Sequence, residues 1–444
     1  MCGLPSFHRT TVRESHRLRW HPTCQASSVF VEGRRRFVPS VRRRDDQINP
    51  QLYNTPHVIA MGKKLLTMTL LPIVLAFSTL GADHVGADNH LPVLKLVNVV
   101  FRHGDRAPDP LETYPADPYK NNTFYPEGRG GLTNAGKMRE YQLGLELKAR
   151  YGDFLGPVWL PSLIEARSTY YDRTKMSLQL VLSALFPPSP IQQWNSQLPW
   201  QPVPTSYKRS YEDILLLADE CPKYEAEFAR VKSKPEIRQK FDKYSALAAY
   251  ISTNSGRPVT TAYDLYDFYH IFTAQRAANL VLPEWASEIY SGDRLYEAAT
   301  LQYEAASFND NLKKLNGGPL VRKISEDMSA VRSGTMAAGR KIYLYSCHET
   351  NIGAVLSTLG VYEPHIPQYS SAIAVELWQK KDEYFVKVVH YLGIPQTFVT
   401  KRIPGCEELC PLDQFLKIMR PVTPSDSDLI CVKKGAPPAQ SNTL

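Results

Sequence analysis

Apolar positions fall along the chain in three patterns. The first is short, β-branched and uninterrupted: Val93-Leu94-Lys95-Leu96-Val97-Asn98-Val99-Val100, and again Ile342-Tyr343-Leu344-Tyr345-Ser346. Such runs predict strands covered on both faces of a sheet. The second pattern has helical spacing. Met138, Tyr141, Leu145 and Ala149 follow Thr133, a good N-cap residue, and predict a helix from about 133 to 150. A short strand within 162–169 runs into a polar turn, and Asp172 through Phe186 reads as a second helix. In the third pattern, 372–378 and 384–389 flank Lys380-Lys381-Asp382 as an antiparallel hairpin.

Between these parts the Pro-rich stretch Trp200-Gln201-Pro202-Val203-Pro204 marks a boundary, and from about Glu212 to Arg332 the period is mostly helical. Strands on both sides of a helical middle predict one α/β domain spanning 88–432, with a core of about 88–205 and 333–432 and a helical insertion of about 206–332. No internal repeat is present. The tail 433–444, with its Gly, Pro and Ser, is expected to be disordered.

Composition adds one surprise. The 444 residues are 43% hydrophobic and 22% charged, an ordinary globular make-up, yet the net charge is +8. That excess is confined to the start. Residues 1–60 carry ten arginines and four acids, Lys63 and Lys64 supply the rest, and the chain from Leu65 onward is neutral. An electrostatic footprint for nucleic acid is therefore missing from the folded part, and no nucleic-acid partner is expected. Met61-Gly62-Lys63-Lys64 followed by an apolar run to Phe77 has the form of a secretory signal peptide, with small residues for cleavage after Gly81 or Ala87. The run is short for a membrane span and Pro72 interrupts it, so no stable membrane anchor is expected. Residues 61–87 thus read as a signal peptide and 1–60 as a basic extension outside the mature protein, which is expected to be secreted.

Secretion changes the meaning of the cysteines. Beyond Cys2 and Cys24 in the extension, five remain, and one must be unpaired. Cys406 and Cys410 are close enough for a local bridge, Cys221 could pair with Cys431 across the chain, and Cys347 is left as a buried, inert thiol. Asn121-Asn122-Thr123 is a glycosylation sequon in a polar loop.

The chemistry gathers at strand ends. The first buried strand runs into Arg102-His103-Gly104-Asp105-Arg106, the short one into Arg167-Ser168-Thr169, and the second buried one into His348-Glu349. In open α/β sheets the C-terminal strand edge is where ligands usually bind. Arginine's planar fork suits tetrahedral oxyanions, and converging arginines are costly to hold together without one. A histidine in that field is pushed toward its neutral form, in which its ring can attack phosphorus. Gly104 would keep a side chain out of the space where phosphate approaches. Other motifs fail. Gly131 to Lys137 comes near a phosphate-binding loop, but Met138 stands where Ser or Thr is needed. His348-Glu349 lacks the second histidine of a zinc-protease helix, since position 352 is Ile, so no metal site is supported. There is no Gly-x-Ser-x-Gly elbow and no dinucleotide fingerprint. The Tyr263–Tyr269 stretch reads as insertion core, and His270 and His365 as structural histidines.

Arg-His-Gly-Asp-Arg-Ala-Pro resembles the signature of the histidine acid phosphatases, and His348-Glu349 their distal His-Asp pair. The likeness continues through Leu132-Thr133, Arg167-Ser168-Thr169, Asp172-Arg173-Thr174, Leu185-Phe186-Pro187-Pro188 and Gly405-Cys406 to Cys410-Pro411-Leu412, over about 93 to 431. It is most similar to the prostatic and lysosomal type, and especially to the secreted venom acid phosphatases of stinging insects. The resemblance implies a phosphoglycerate-mutase-like mixed sheet flanked by helices, and hydrolysis of phosphate monoesters without a cofactor or metal. It implies His103 as nucleophile, Arg102, Arg106, Arg167 and His348 as the phosphate clamp, and Glu349 in the place of the usual aspartate as proton donor. Asp105 and Arg173 are expected to be structural. The family pattern also implies the Cys221–Cys431 and Cys406–Cys410 bridges and suggests a homodimer. A phytase or lipid-phosphate phosphatase of the same family, and an inactive secreted binding protein, are the alternatives.

Overall fold

The computed structural model describes residues 91–432. The extension 1–60, the segment 61–87 and the tail 433–444 lie outside the described residues.

Eight strands form one mixed sheet: β1 Val93–Arg102, β2 Ile164–Ser168, β3 Ser206–Tyr207, β4 Ile342–Cys347, β5 Ala372–Lys380, β6 Glu383–Tyr391, β7 Phe398–Lys401 and β8 Cys410–Pro411. Their order is β3-β2-β4-β1-β5-β6-β7, with β8 on β6. β3, β2, β4 and β1 run parallel, while β5, β6 and β7 alternate in direction. In the register of the parallel set, Arg102 stands opposite Cys347 and Ser168 opposite Ser346, so three strands end on one line. The expected hairpin is β5–β6, closed by Lys381 at positive φ.

The uninterrupted apolar runs behave as strands covered on both sides. Val97, Val99 and Phe101 of β1 pack with Leu143, Leu147, Leu178 and Leu182, from the helices Asn134–Leu155 and Asp172–Leu185. Leu96 and Val100 point the other way, among Leu320, Ile324, Ile352, Val355 and Phe415. Each fully buried aliphatic side chain contributes about 1.5–3 kcal/mol. A central strand lined on both faces is therefore a rigid base for the residues that follow it. The helix Asn134–Leu155 begins as expected, with the Thr133 hydroxyl accepting from the Gly136 N–H.

A third core, built from Leu265, Phe268 and Phe272 with Tyr114, Leu295 and Ala298, belongs to the helices of the middle segment. The last helix of the expected insertion, Gly318–Ser333, packs Leu320, Val321, Ile324 and Met328 on the sheet instead. The part that forms its own core thus ends before residue 318. Cys221–Cys431 and Cys406–Cys410 are disulfides, and Cys347 is a buried free thiol. Burial raises its pKa well above the ordinary thiol value, and its Sγ–H donates to the Phe101 carbonyl.

Candidate active site

His103 follows directly on β1 and is 1% exposed. Its Nδ1 lies 2.8 Å from the Gly104 carbonyl oxygen, an acceptor only, so Nδ1 carries the proton and Nε2 carries the lone pair. Burial, then the charges of Arg173, Arg102, His348 and Arg106, hold the ring's pKa well below 6.5. A neutral imidazole with an unprotonated Nε2 is the form that can attack an electrophile.

Around that nitrogen stand three arginines. Arg102 ends β1, donates through Nη1 to the Pro367 carbonyl at 2.7 Å and lies 4.0 Å over the Tyr369 ring. Arg106 is gripped by Glu112 through two contacts of 2.5 and 2.6 Å. Arg173, in the first turn of the helix Asp172–Leu185, donates through Nε to His103 Nε2 at 3.2 Å. Its Nη1 is held by Asp109 at 3.2 Å. Arg102 Nη2 and Arg106 Nε are buried donors with no hydrogen-bond partner among the described residues. Unpaired buried donors cost roughly 1–3 kcal/mol each, more when charged, so two beside one histidine point to an anion that completes them.

His348 arrives from β4, with its ring centroid 5.4 Å from that of His103. Its Nε2 meets the Thr169 hydroxyl at 3.1 Å, and burial followed by Arg173 lowers its pKa to about 3. Glu349 opens the helix Glu349–Thr358 and is 8% exposed. Its Oε2 lies 3.1 Å from Arg102 Nε and its Oε1 accepts from the Tyr266 hydroxyl at 2.8 Å. Burial alone would raise its pKa, but Arg102, with His270, His103 and His348, holds it well below the ordinary carboxylate range.

Two sequence expectations change. Arg167 does not join the clamp. On β2 Arg167 stands opposite Tyr345, two positions short of the Arg102–Cys347 pair at the sheet edge, and pairs there with buried Asp213. Arg173, expected to be only structural, stands in its place on His103. The sequence signal for it was weak, because an arginine in a helix's first turn has many ordinary uses. Gly104 also has a second reason to be glycine: a Cβ there would run into the Gly136 carbonyl. It lets the loop lie against the helix Asn134–Leu155, and its N–H donates to Ser177 Oγ. Asp105 keeps a structural role, with both oxygens on Arg139 at 2.6 and 3.1 Å.

A match to the histidine phosphatase superfamily (branch 2) spans residues 93–391, most of the described chain. The chain belongs to the histidine phosphatase superfamily, branch 2. Within it, the sequence is 47% identical to Venom acid phosphatase Acph-1 of Apis mellifera, over 77% of this chain and 88% of that protein. It is 32% identical to Prostatic acid phosphatase of Homo sapiens, over 76% and 88% respectively. Among solved structures, the Citrobacter braakii phytase superposes with a TM-score of 0.57 at 14% identity, covering 76% of this chain and 99% of that one. The apo phytase of Hafnia alvei gives 0.56 at 16%, over 76% and 98%. At those identities the likeness carries the fold of the superfamily.

Proposed function

We propose that the chain is a secreted acid phosphatase that hydrolyses phosphate monoesters through a phosphohistidine on His103. The observation that carries this reading is the unprotonated Nε2 of His103 beside Arg173 and two buried, unpartnered arginine donors. The phosphoryl oxygens would lie against Arg102, Arg106, Arg173 and His348, whose hydrogen bonds strengthen as charge builds on them in transfer. Nε2 forms a bond to phosphorus while the ester P–O bond breaks, and the departing oxygen takes a proton from Glu349. Water then attacks the phosphohistidine, giving its proton to Glu349, and the N–P bond breaks to release phosphate and restore His103.

The arginine field that keeps His103 neutral also keeps Glu349 ionised, which is the wrong state for a donor. Substrate resolves the conflict. An entering phosphate brings negative charge between the arginines and Glu349, which raises the carboxyl's pKa in the bound complex. Proton uptake with substrate favours acid pH, while burial and the arginines keep His103 unprotonated further into acid than an ordinary imidazole. Asn121, exposed in its loop, would carry the glycan of the secreted protein.

Hydrolysis of para-nitrophenyl phosphate at acid pH with EDTA present tests the reading. Turnover insensitive to the chelator is expected. Absence of turnover in a folded preparation would leave a binding protein, and loss on chelation would mean a metal-dependent mechanism.

A further inference from the structure

Glu349 is held by more than the arginine cluster. Tyr266, from the helix Ala262–Ala277 of the middle segment, places its hydroxyl on Glu349 Oε1 at 2.8 Å. Behind it, the ring of Tyr303 of the helix Asp293–Ala306 packs edge-on against that of Tyr266 with 5.5 Å between centroids, and its hydroxyl lies 3.3 Å from His270 Nε2. The Tyr266 and His270 rings are 4.4 Å apart. Glutamate acts only as an acceptor when ionised, so the Tyr266 hydroxyl donates to it.

A glutamate has one more rotatable bond than an aspartate, and each freely sampled rotamer dilutes the conformation that reaches the leaving group. Here both carboxylate oxygens are fixed, Oε2 by Arg102 on the sheet and Oε1 by Tyr266 on the helical roof. We propose that Tyr266, its ring packed against those of Tyr303 and His270, is a positioning residue for the proton donor: its hydroxyl fixes the orientation of Glu349 and sets its proton affinity. This rests on the reading of Glu349 as general acid. The other groups that bear on Glu349 are Arg102, His103, Arg173 and His348. Burial keeps Tyr266 protonated far above neutral pH, so it remains a donor to Glu349 through the working range.

Tyr266→Phe keeps the ring and removes one hydroxyl. Loss of a donor to the ionised carboxylate should move the alkaline limb of the kcat–pH profile upward by about one unit. Turnover of an alkyl phosphate should fall about tenfold, a part of the 10²–10⁴ available from general acid catalysis, with an aryl phosphate much less affected. In the Glu349→Asp background the shorter arm leaves the tyrosine's reach, and Tyr266→Phe should add nothing. An unmoved limb with an unchanged alkyl-to-aryl ratio, or an equal effect in both backgrounds, would overturn the proposal. Should Tyr266→Phe not fold, fluorotyrosine at position 266 keeps the ring and strengthens the donor; it should move the limb downward, and an unmoved limb there is equally fatal. Glu349→Gln separates the two layers. If it slows both esters alike the general acid reading falls, whereas a selective effect there with a silent Tyr266→Phe overturns only the role of the tyrosine.

Discussion

Arg167 and Arg173 come from adjoining regions of the chain, the end of β2 and the first turn of the helix after it, and they meet opposite fates. Arg167 stands level with Tyr345 and Val100, three positions short of His348 and His103, and its guanidinium turns to Asp213. Arg173 sits beyond the strand, and the helix start swings it back over His103 Nε2. Position along a strand fixes how near a residue comes to the sheet edge. Arg102, on the same face of the sheet, stands two positions nearer that edge than Arg167, and a helix that starts beyond the strand carries Arg173 back over it.

The comparison is sharpest in kinetics. Arg173→Ala should lower kcat by about 10²–10³, the scale of one lost oxyanion donor, while Arg167→Ala stays within a few-fold of wild type. Equal losses in the two variants would erase the distinction. Stability should show the reverse order. Arg167→Ala leaves Asp213 buried without its cation, and breaking a buried pair costs about 3–5 kcal/mol. The value should fall at the low end, because Asp213 also accepts the N–H groups of Leu215 and Leu216. Thermal denaturation of both variants decides this, and a destabilised Arg173→Ala beside an unaffected Arg167→Ala would invert the assignment.

The pH profile separates the two arginines again. His103 must be unprotonated to attack, so the acid limb follows its depressed pKa downward from 6.5. Arg173 follows burial among the causes of that depression. Arg173→Ala should therefore move the acid limb part of the way back toward 6.5, since burial persists, and Arg167→Ala should leave it in place. The smallest effect belongs to Asp109, a partly exposed carboxylate on Arg173. Asp109→Asn removes an internal competitor for that guanidinium and should tighten inhibition by inorganic phosphate about two- to fivefold. Weaker inhibition would mean that Asp109 chiefly orients the arginine.

Much of this was legible before any coordinates. β1 and β4 announced themselves as uninterrupted apolar runs, the charged residues after them fell on the ligand edge, and Thr133 marked its helix. What escaped depended on contacts between distant segments. Tyr266 reaches Glu349 across 83 positions, and in a tyrosine-rich helix its ring reads as core, which it also is. The helix Gly318–Ser333 has a clear apolar stripe, but periodicity does not say whether the stripe meets the sheet or the insertion. The two-residue strands β3 and β8 are too short to carry any alternation. At Gly104 the motif marks the position but not the neighbour, because the backbone that a Cβ would meet belongs to a helix some thirty residues on.

The central claim is the covalent intermediate on His103. A labelled phosphate ester, quenched in alkali during turnover and followed by peptide mapping, tests it most directly, because phosphohistidine survives alkali and is lost in acid. The expected result is label on the peptide that contains His103, absent from a folded and inactive His103→Ala variant. Label on another residue, or steady turnover by His103→Ala, would contradict the account.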